Sequence, residues 1–248
     1  MPTPRKPIAI FKLGGTFPRL AKEIGDFEDW FRQSLEDTLP VHLIDAQAET
    51  ELPLHTTLAG VILTGSNSMV TDYLPWSERL KPWLALAVKQ ELPVLGICYG
   101  HQLLAHALGG TVATRPQGVE IGTISVARNA ISDTDPLFAS MPNQFLAHAV
   151  HWQSVERLPP QGVRLASSKA DPNQAFRVGE KAWGVQFHPE FSETAMRFYI
   201  DAYEDVLWET GNDLAVLRQQ IRPTEDVSRL LKQFAEVCRS SLDTRLDR

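Results

Sequence analysis

Through the first 110 residues of this 248-residue chain, short apolar runs alternate with polar stretches of helical pattern. PIAIFKL at 7–13 has the length and content of a strand, and VHLIDA at 41–46, LAGVILTGS at 58–66 and PVLGIC at 93–98 repeat the signal. Residues 26–39 read as an amphipathic helix, and 77–91 as a helix closed by Pro93. A further helix is predicted over 99–110, with Leu103, Leu104, Ala107 and Leu108 on one face and Gly109 and Gly110 ending it. Strands alternating with helices imply right-handed crossovers and a parallel sheet.

Beyond Gly110 the pattern changes. TVAT, GTISVAR, QFLAHAVHW, GVRLASSK, QAFRVG and KAWGVQFH are strand-like and follow one another without helices between them. Gly179 and Glu180 mark a hairpin turn between the last two. From Ser192 onward the chain is again helical, with Met196, Tyr199, Ile200, Tyr203, Val206 and Leu207 on one face. Val227, Leu230, Leu231, Phe234 and Val237 form the stripe of a last helix, with Thr224 as its N-cap. The expected fold is α/β: a mostly parallel central sheet flanked by helices, with added antiparallel strands and a helical C-terminal tail. No Gly/Ser linker separates independent parts.

Composition narrows the function classes. The chain is 43% hydrophobic and 22% charged, as a globular protein is, and its net charge is −6. With no basic cluster beyond PRK near the start, nucleic acid finds no electrostatic footprint. No apolar run approaches the roughly 18 residues a membrane span needs. The apolar stretch after the basic start is broken at Lys12 and too short for a secretion signal. The two cysteines, Cys98 and Cys238, are far apart and make no metal-binding pair; their scarcity fits a reducing, cytoplasmic setting.

Cys98 lies in GICYGHQ (96–102), at the predicted end of a strand and the start of a helix. G-x-C-x-G is the thiol form of the strand–turn–helix nucleophile elbow. Gly96 and Gly100 permit a sharp turn without Cβ clashes. A helix N-terminus favours a thiolate beside it, and the Tyr99 N–H would face an oxyanion forming there. Taken alone, the same stretch also fits a small apolar residue packed beneath a helix.

A nucleophilic thiol needs a base, and the base an orienting group. Of seven histidines, His188 stands out. It ends the run AWGVQFHPEF, Pro189 fixes the backbone after it, and Glu190 is two residues on, close enough to swing back to the imidazole. HPE also fits a strand-end histidine with a solvated glutamate.

The combination of GICYGHQ and GVQFHPEF, some ninety residues apart, resembles the class I (triad) glutamine amidotransferases. It is most similar to the glutaminase part of GMP synthases and their free-standing relatives. The resemblance covers about residues 40–192 and implies a flavodoxin-like fold, with a domain over 1–192 and a helical extension, 193–248, packed on it. Cys98 is then the nucleophile, His188 the general acid and base, and Glu190 the orienting group. Backbone N–H groups of Tyr99 and of Gly65 or Ser66, in LTGSNSMV (63–70), would hold the oxyanion. Gln102, Ser154 and Val155 would contact substrate, the last two from HWQSV (151–155), the H-x-D-x-V segment of the family.

Two stretches depart from the family pattern. Gly-Ser-Asn at 65–67 replaces Gly-Gly-Pro, and Gln153 replaces the Asp of H-x-D-x-V. His101, in a variable position, reads as a helix-surface residue, and GDFEDWF (25–31) as the start of a surface helix. The implied reaction takes the γ-amide of glutamine through a γ-glutamyl thioester and needs no metal or organic cofactor. About 58 residues follow Glu190, without a phosphate loop, so either a separate synthetase subunit takes the ammonia or ammonia is not the point of the reaction. A γ-glutamyl peptidase or hydrolase acting on other γ-glutamyl amides is the alternative, and an inactive regulatory or binding domain a third.

Overall fold

The computed structural model describes residues 5–35, 38–49 and 51–246. Strand β1 (Ile8–Lys12) is followed by α1 (Pro18–Ile24) and α2 (Phe27–Leu35), then β2 (Val41–Asp45), β3 (Gly60–Leu63), α3 (Pro75–Lys89), β4 (Val94–Ile97) and α4 (Tyr99–Ala107). Next come β5 (Thr111–Thr114), β6 (Glu120–Arg128), β7 (Gln144–His151), β8 (Gln153–Arg157), β9 (Gly162–Ser168), β10 (Ala175–Val178) and β11 (Ala182–Val185). Helices α5 (Glu193–Ala202), α6 (Glu204–Glu209), α7 (Leu214–Gln219) and α8 (Glu225–Leu246) complete the chain. The helix expected over 26–39 is shorter, and its Glu36 and Asp37 lie outside the described residues. So do the first four residues of the expected 1–192 domain and the last two of its extension.

The main sheet has the order β2-β1-β3-β4-β11-β10-β9-β6-β7, and β5 pairs with β8 apart from it. Strands β2, β1, β3, β4 and β11 run parallel. The four beyond them are antiparallel additions. The β10–β11 hairpin turns at Gly179 and Glu180 as expected, with Gly179 at φ +60°. Its second strand, however, returns beside β4 as the fifth parallel strand, with Gly184 opposite Gly96.

Both faces of the parallel block are covered, which is why its strands read as apolar runs rather than alternations. Ile8, Ile10, Ile62, Leu95 and Ile97 face one core, shared with α2, α5 and α8. Ala9, Phe11, Val61, Leu63 and Val94 face the other, shared with α3 and α4. The strand period of two thus sends alternate side chains into different cores. Edge strand β2 is only half covered.

In the C-terminal region, Met196, Tyr199, Ile200 and Leu207 are buried, as are Val227, Leu230, Leu231 and Phe234 of α8. Val206, expected on the same stripe, is 39% exposed, because the helix breaks at Tyr203 and α6 starts with a new orientation. The Thr224 carbonyl accepts the Val227 and Ser228 N–H groups, so α8 starts where its cap was expected.

The parallel strands bring β3, β4 and α4 into close approach. A Cβ at Gly96 would overlap the Gly100 carbonyl, and one at Gly100 would lie 2.5 Å from the Leu63 carbonyl oxygen. Gly100→Ala should therefore destabilise the fold by about 2 kcal/mol, as overpacking against unyielding backbone does. Denaturant midpoints measure this; an unchanged midpoint would refute the close-approach account.

Candidate active site

Cys98 connects β4 to α4 with φ +51° and ψ −102°, a conformation that L-residues seldom adopt. The strain expected at a glycine is carried by the cysteine itself, while Gly96 and Gly100 clear space around it. Its N–H donates to the Val185 carbonyl at 2.9 Å, and the Gly100 N–H donates to the Thr64 carbonyl at 3.2 Å. The turn is thus tied to strands on both sides. Sγ lies 3.7 Å from the Val150 carbonyl oxygen, and Cys98 is 8% exposed. As the first residue of α4, Tyr99 has a backbone N–H with no acceptor inside the helix. Its side chain turns away, donating to Ser77 Oγ at 2.9 Å.

His188 stands just beyond β11, which ends at Val185, and is held by an isolated antiparallel bridge to His148. Its N–H donates to the His148 carbonyl at 2.8 Å. Nδ1 and Glu190 Oε1 are 2.7 Å apart, both residues are buried, and Phe191 stacks on the imidazole at 4.0 Å. Nε2 is buried and has no hydrogen-bond partner in the protein. Burial alone would lower the pKa of His188. The Glu190 charge, with a smaller contribution from Cys98, outweighs burial and raises it to about 10. The neighbouring His148 is held at about 4 by burial and by the charge of His188.

Cys98, Tyr99 and His188 open into one cavity of about 210 Å³. Ser66 and Gln102 line it too, and Gly65 packs so close that a Cβ there would lie 3.2 Å from His188 Cε1. Gln102 Nε2 donates to the Gln153 carbonyl at 2.8 Å and to Gln186 Oε1 at 2.9 Å. Both amide hydrogens are thereby used, and only the amide oxygen remains for a ligand.

Two expected substrate contacts do not reach this cavity. Ser154 Oγ accepts from Arg115 Nη1 at 3.2 Å, and Val155 is buried in the core beside α4. The chain bends at Trp152, between β7 and β8, so that Val150, His151, Trp152 and Gln153 form the wall instead. Gln153 Nε2 donates to Thr71 Oγ1 at 2.6 Å, joining this wall to the loop after β3. His101 is not on the surface: it is fully buried against Phe176, its pKa lowered to about 4, first by burial. Phe27, expected at a surface helix start, is 2% exposed and lines the cavity with Tyr199 and Tyr203. A helical aromatic stripe marks these as buried, but gives no sign of which cavity they reach. Among the described residues lining the cavity, none is Asp, Glu, Lys or Arg.

The sequence matches the family "Glutamine amidotransferase class-I" over residues 29–202. The chain belongs to this family. It is 31% identical over 225 residues to the GMP synthase [glutamine-hydrolyzing] of Aeropyrum pernix, covering 87% of this chain and 40% of that one. Over 145 residues it is 41% identical to a chain of Methanococcus vannielii named as one subunit of a GMP synthase [glutamine-hydrolyzing], covering 58% of this chain and 70% of that one. The match to the GMP synthase of Thermomicrobium roseum spans 25% of that relative's length. A glutamine amidotransferase structure from Thermotoga maritima aligns over 99% of this chain and 100% of its own, with TM-score 0.67 and 25% identity. One from Methylobacillus flagellatus aligns over 94% and 93%, with TM-score 0.71 and 23% identity, and shows the shared fold. Among the described residues, no helix is long and apolar enough to cross a membrane.

The His188–Glu190 pair makes a pH prediction. A folded pKa of about 10 lies above the ordinary value of 6.5, so the pair's stabilisation is complete below pH 6.5 and is lost as pH rises toward 10. In chemical denaturation, the stability difference between wild type and His188→Gln should shrink across that window. In Glu190→Gln, the imidazole should titrate at lower pH than in wild type, as read by NMR. An unshifted titration would contradict the assigned cause.

Proposed function

We propose that the protein hydrolyses the γ-amide of glutamine through a γ-glutamyl thioester on Cys98, releasing glutamate and ammonia. The observation that carries this reading is the buried His188–Glu190 pair, 2.7 Å apart, with His188 lining the same cavity as Cys98 at its strained elbow. Family membership and the relatives' printed names support the same chemistry.

The Cys98 thiolate, its proton already held by His188, attacks the amide carbon. The backbone N–H of Tyr99, with that of Gly65 or Ser66, receives the oxyanion; one such donor is worth roughly 3–4 kcal/mol of barrier. His188 then protonates the leaving nitrogen, the C–N bond breaks and ammonia departs. Water, losing its proton to His188, attacks the thioester, and the C–S bond breaks to release glutamate and return the thiolate beside the imidazolium. Glu190 holds the Nδ1–H tautomer and balances the imidazolium. The oxygen of Gln102 is an acceptor suited to the α-ammonium, and the Trp152–Gln153 wall borders the same end. Ammonia passes to a separate synthetase subunit; that the Methanococcus vannielii relative is named as one part of a multi-chain GMP synthase supports this. The segment 193–248 acts as an extension of the 1–192 domain, contributing Tyr199 and Tyr203 to the cavity. The cytoplasm is the compartment that suits a working free thiol.

A second reading is favoured by one feature. The leaving amine must sit beside His188, where the Phe27 ring stacks at 6.3 Å, and Tyr199 and Tyr203 line the same cavity. Such a wall also suits a larger apolar amine, so γ-glutamyl amides other than glutamine are the alternative substrates.

Glutamate release is the test, with glutamine and a panel of γ-glutamyl amides, in the presence and absence of a GMP synthase synthetase subunit. Wild type should turn over glutamine, and Cys98→Ala should lose activity by at least about a thousandfold. Turnover of larger amides but not of glutamine would move the function to the second reading. Equal inertness of both proteins would refute both.

A further inference from the structure

A second buried imidazole–carboxylate pair starts in the cavity wall, at His151, and runs back to Glu120. Glu120 opens β6 directly opposite His151, the last residue of β7. Directly opposed residues on an antiparallel ladder project to the same face, with Cβ atoms about 5 Å apart. The side chains meet at 2.7 Å between His151 Nε2 and Glu120 Oε2, matching the separation in the His188–Glu190 pair. His151 is 3% and Glu120 8% exposed.

The two pairs differ in one respect. His188 has a free ring nitrogen, whereas both nitrogens of His151 are engaged. Nδ1 lies 2.8 Å from the Gln153 carbonyl oxygen, which can only accept, so Nδ1 carries a hydrogen. Nε2 is taken up by the Glu120 carboxylate. Glu120 is fixed in turn: Oε2 also accepts from Gln174 Nε2 at 2.7 Å, and Oε1 from Ser168 Oγ at 2.9 Å. With no nitrogen to spare, His151 is unsuited to proton transfer with a ligand.

The Gln153 carbonyl receives two donors, His151 Nδ1 and Gln102 Nε2, both at 2.8 Å. This single oxygen therefore joins the bent wall to α4, the helix that follows Cys98. Asp171 lies nearby, with ligand atoms of Glu120, His151 and Asp171 within 4.8 Å of one another. Arg115 Nη1 is 3.8 Å from Asp171, and the Glu120 oxygens already accept three donors, so the chemistry is that of a charge-balanced clamp and not a cation cage.

We propose that Glu120 and His151 are positioning residues for substrate, acting through the Gln153 carbonyl to hold the Trp152–Gln153 wall and the Gln102 amide against the amino-acid end of a γ-glutamyl ligand. This rests on the reading of the cavity as a γ-glutamyl site. Loss of the pair loosens recognition and leaves the Cys98 elbow, which is tied to Val185 and Thr64, in place.

The test uses two alkylating probes on the intact protein: 6-diazo-5-oxo-L-norleucine, which is shaped like glutamine, and iodoacetamide, which is not. In His151→Phe, the half-saturating concentration of the first probe should rise by about tenfold, the scale of one lost buried hydrogen bond, with its limiting rate within about twofold of wild type. The iodoacetamide rate should also stay within about twofold. Glu120→Gln/His151→Phe, which leaves no buried charge unpaired, should behave alike and serves if the single variant does not fold. Unchanged saturation in a folded variant would overturn the proposal. Parallel losses with both probes and in melting temperature would do the same, by showing a merely structural role. Wild type that labels with iodoacetamide but never saturates with the glutamine analogue would instead overturn the γ-glutamyl reading itself.

Discussion

The close approach of backbone to backbone at the end of β4 is the constraint from which the site follows. Gly96 lies against the Gly100 carbonyl, and Gly100 against Leu63, leaving no room for a Cβ at either position. Only this contact lets α4 start immediately after the strand, with Cys98 at positive φ between them. Strain of this kind costs about 1–3 kcal/mol and persists only where surrounding structure over-determines it. Here β3, β4 and β11 do so, through the bonds of Cys98 to Val185 and of Gly100 to Thr64. A sulfur raised from the sheet and an unpaired N–H at the helix start are both consequences of that packing.

The neighbouring strand delivers the base. Because β11 returns parallel to β4, the chain leaving it passes beside the elbow, and His188 is pinned there by its bridge to His148. Burial would neutralise this imidazole, but a carboxylate two residues away reverses the balance. The same strand, β7, holds His148 against His188, Val150 against Cys98 and His151 against Glu120. One antiparallel addition to a parallel sheet thus touches the nucleophile, the base and the far wall.

What the sequence revealed was local. Gly96, Cys98 and Gly100 are close along the chain, as are His188 and Glu190, so the chemistry of each group shows in a few letters. The alternate burial of β1, β3 and β4 is equally local, because a strand covered on both faces must be apolar throughout. Features made by distant contacts were not legible. Nothing in KAWGV tells that β11 joins the parallel block, and nothing in the 25–31 stretch tells that Phe27 reaches a histidine at 188. The bend at Trp152 changes which residues face inward, so Ser154 and Val155 were expected where Trp152 and Gln153 stand. His101 looked exposed because its helix is amphipathic, yet β11 and Phe176 cover it.

The central claim is that Cys98 carries the acyl group. Rapid acid quench of the wild-type protein during turnover of saturating glutamine, followed by peptide mass spectrometry, tests it directly. The account predicts one glutamyl residue attached to the Cys98 peptide in thioester linkage, released by hydroxylamine. Glutamate production without an adduct on that peptide, or with the adduct on another residue, would contradict it.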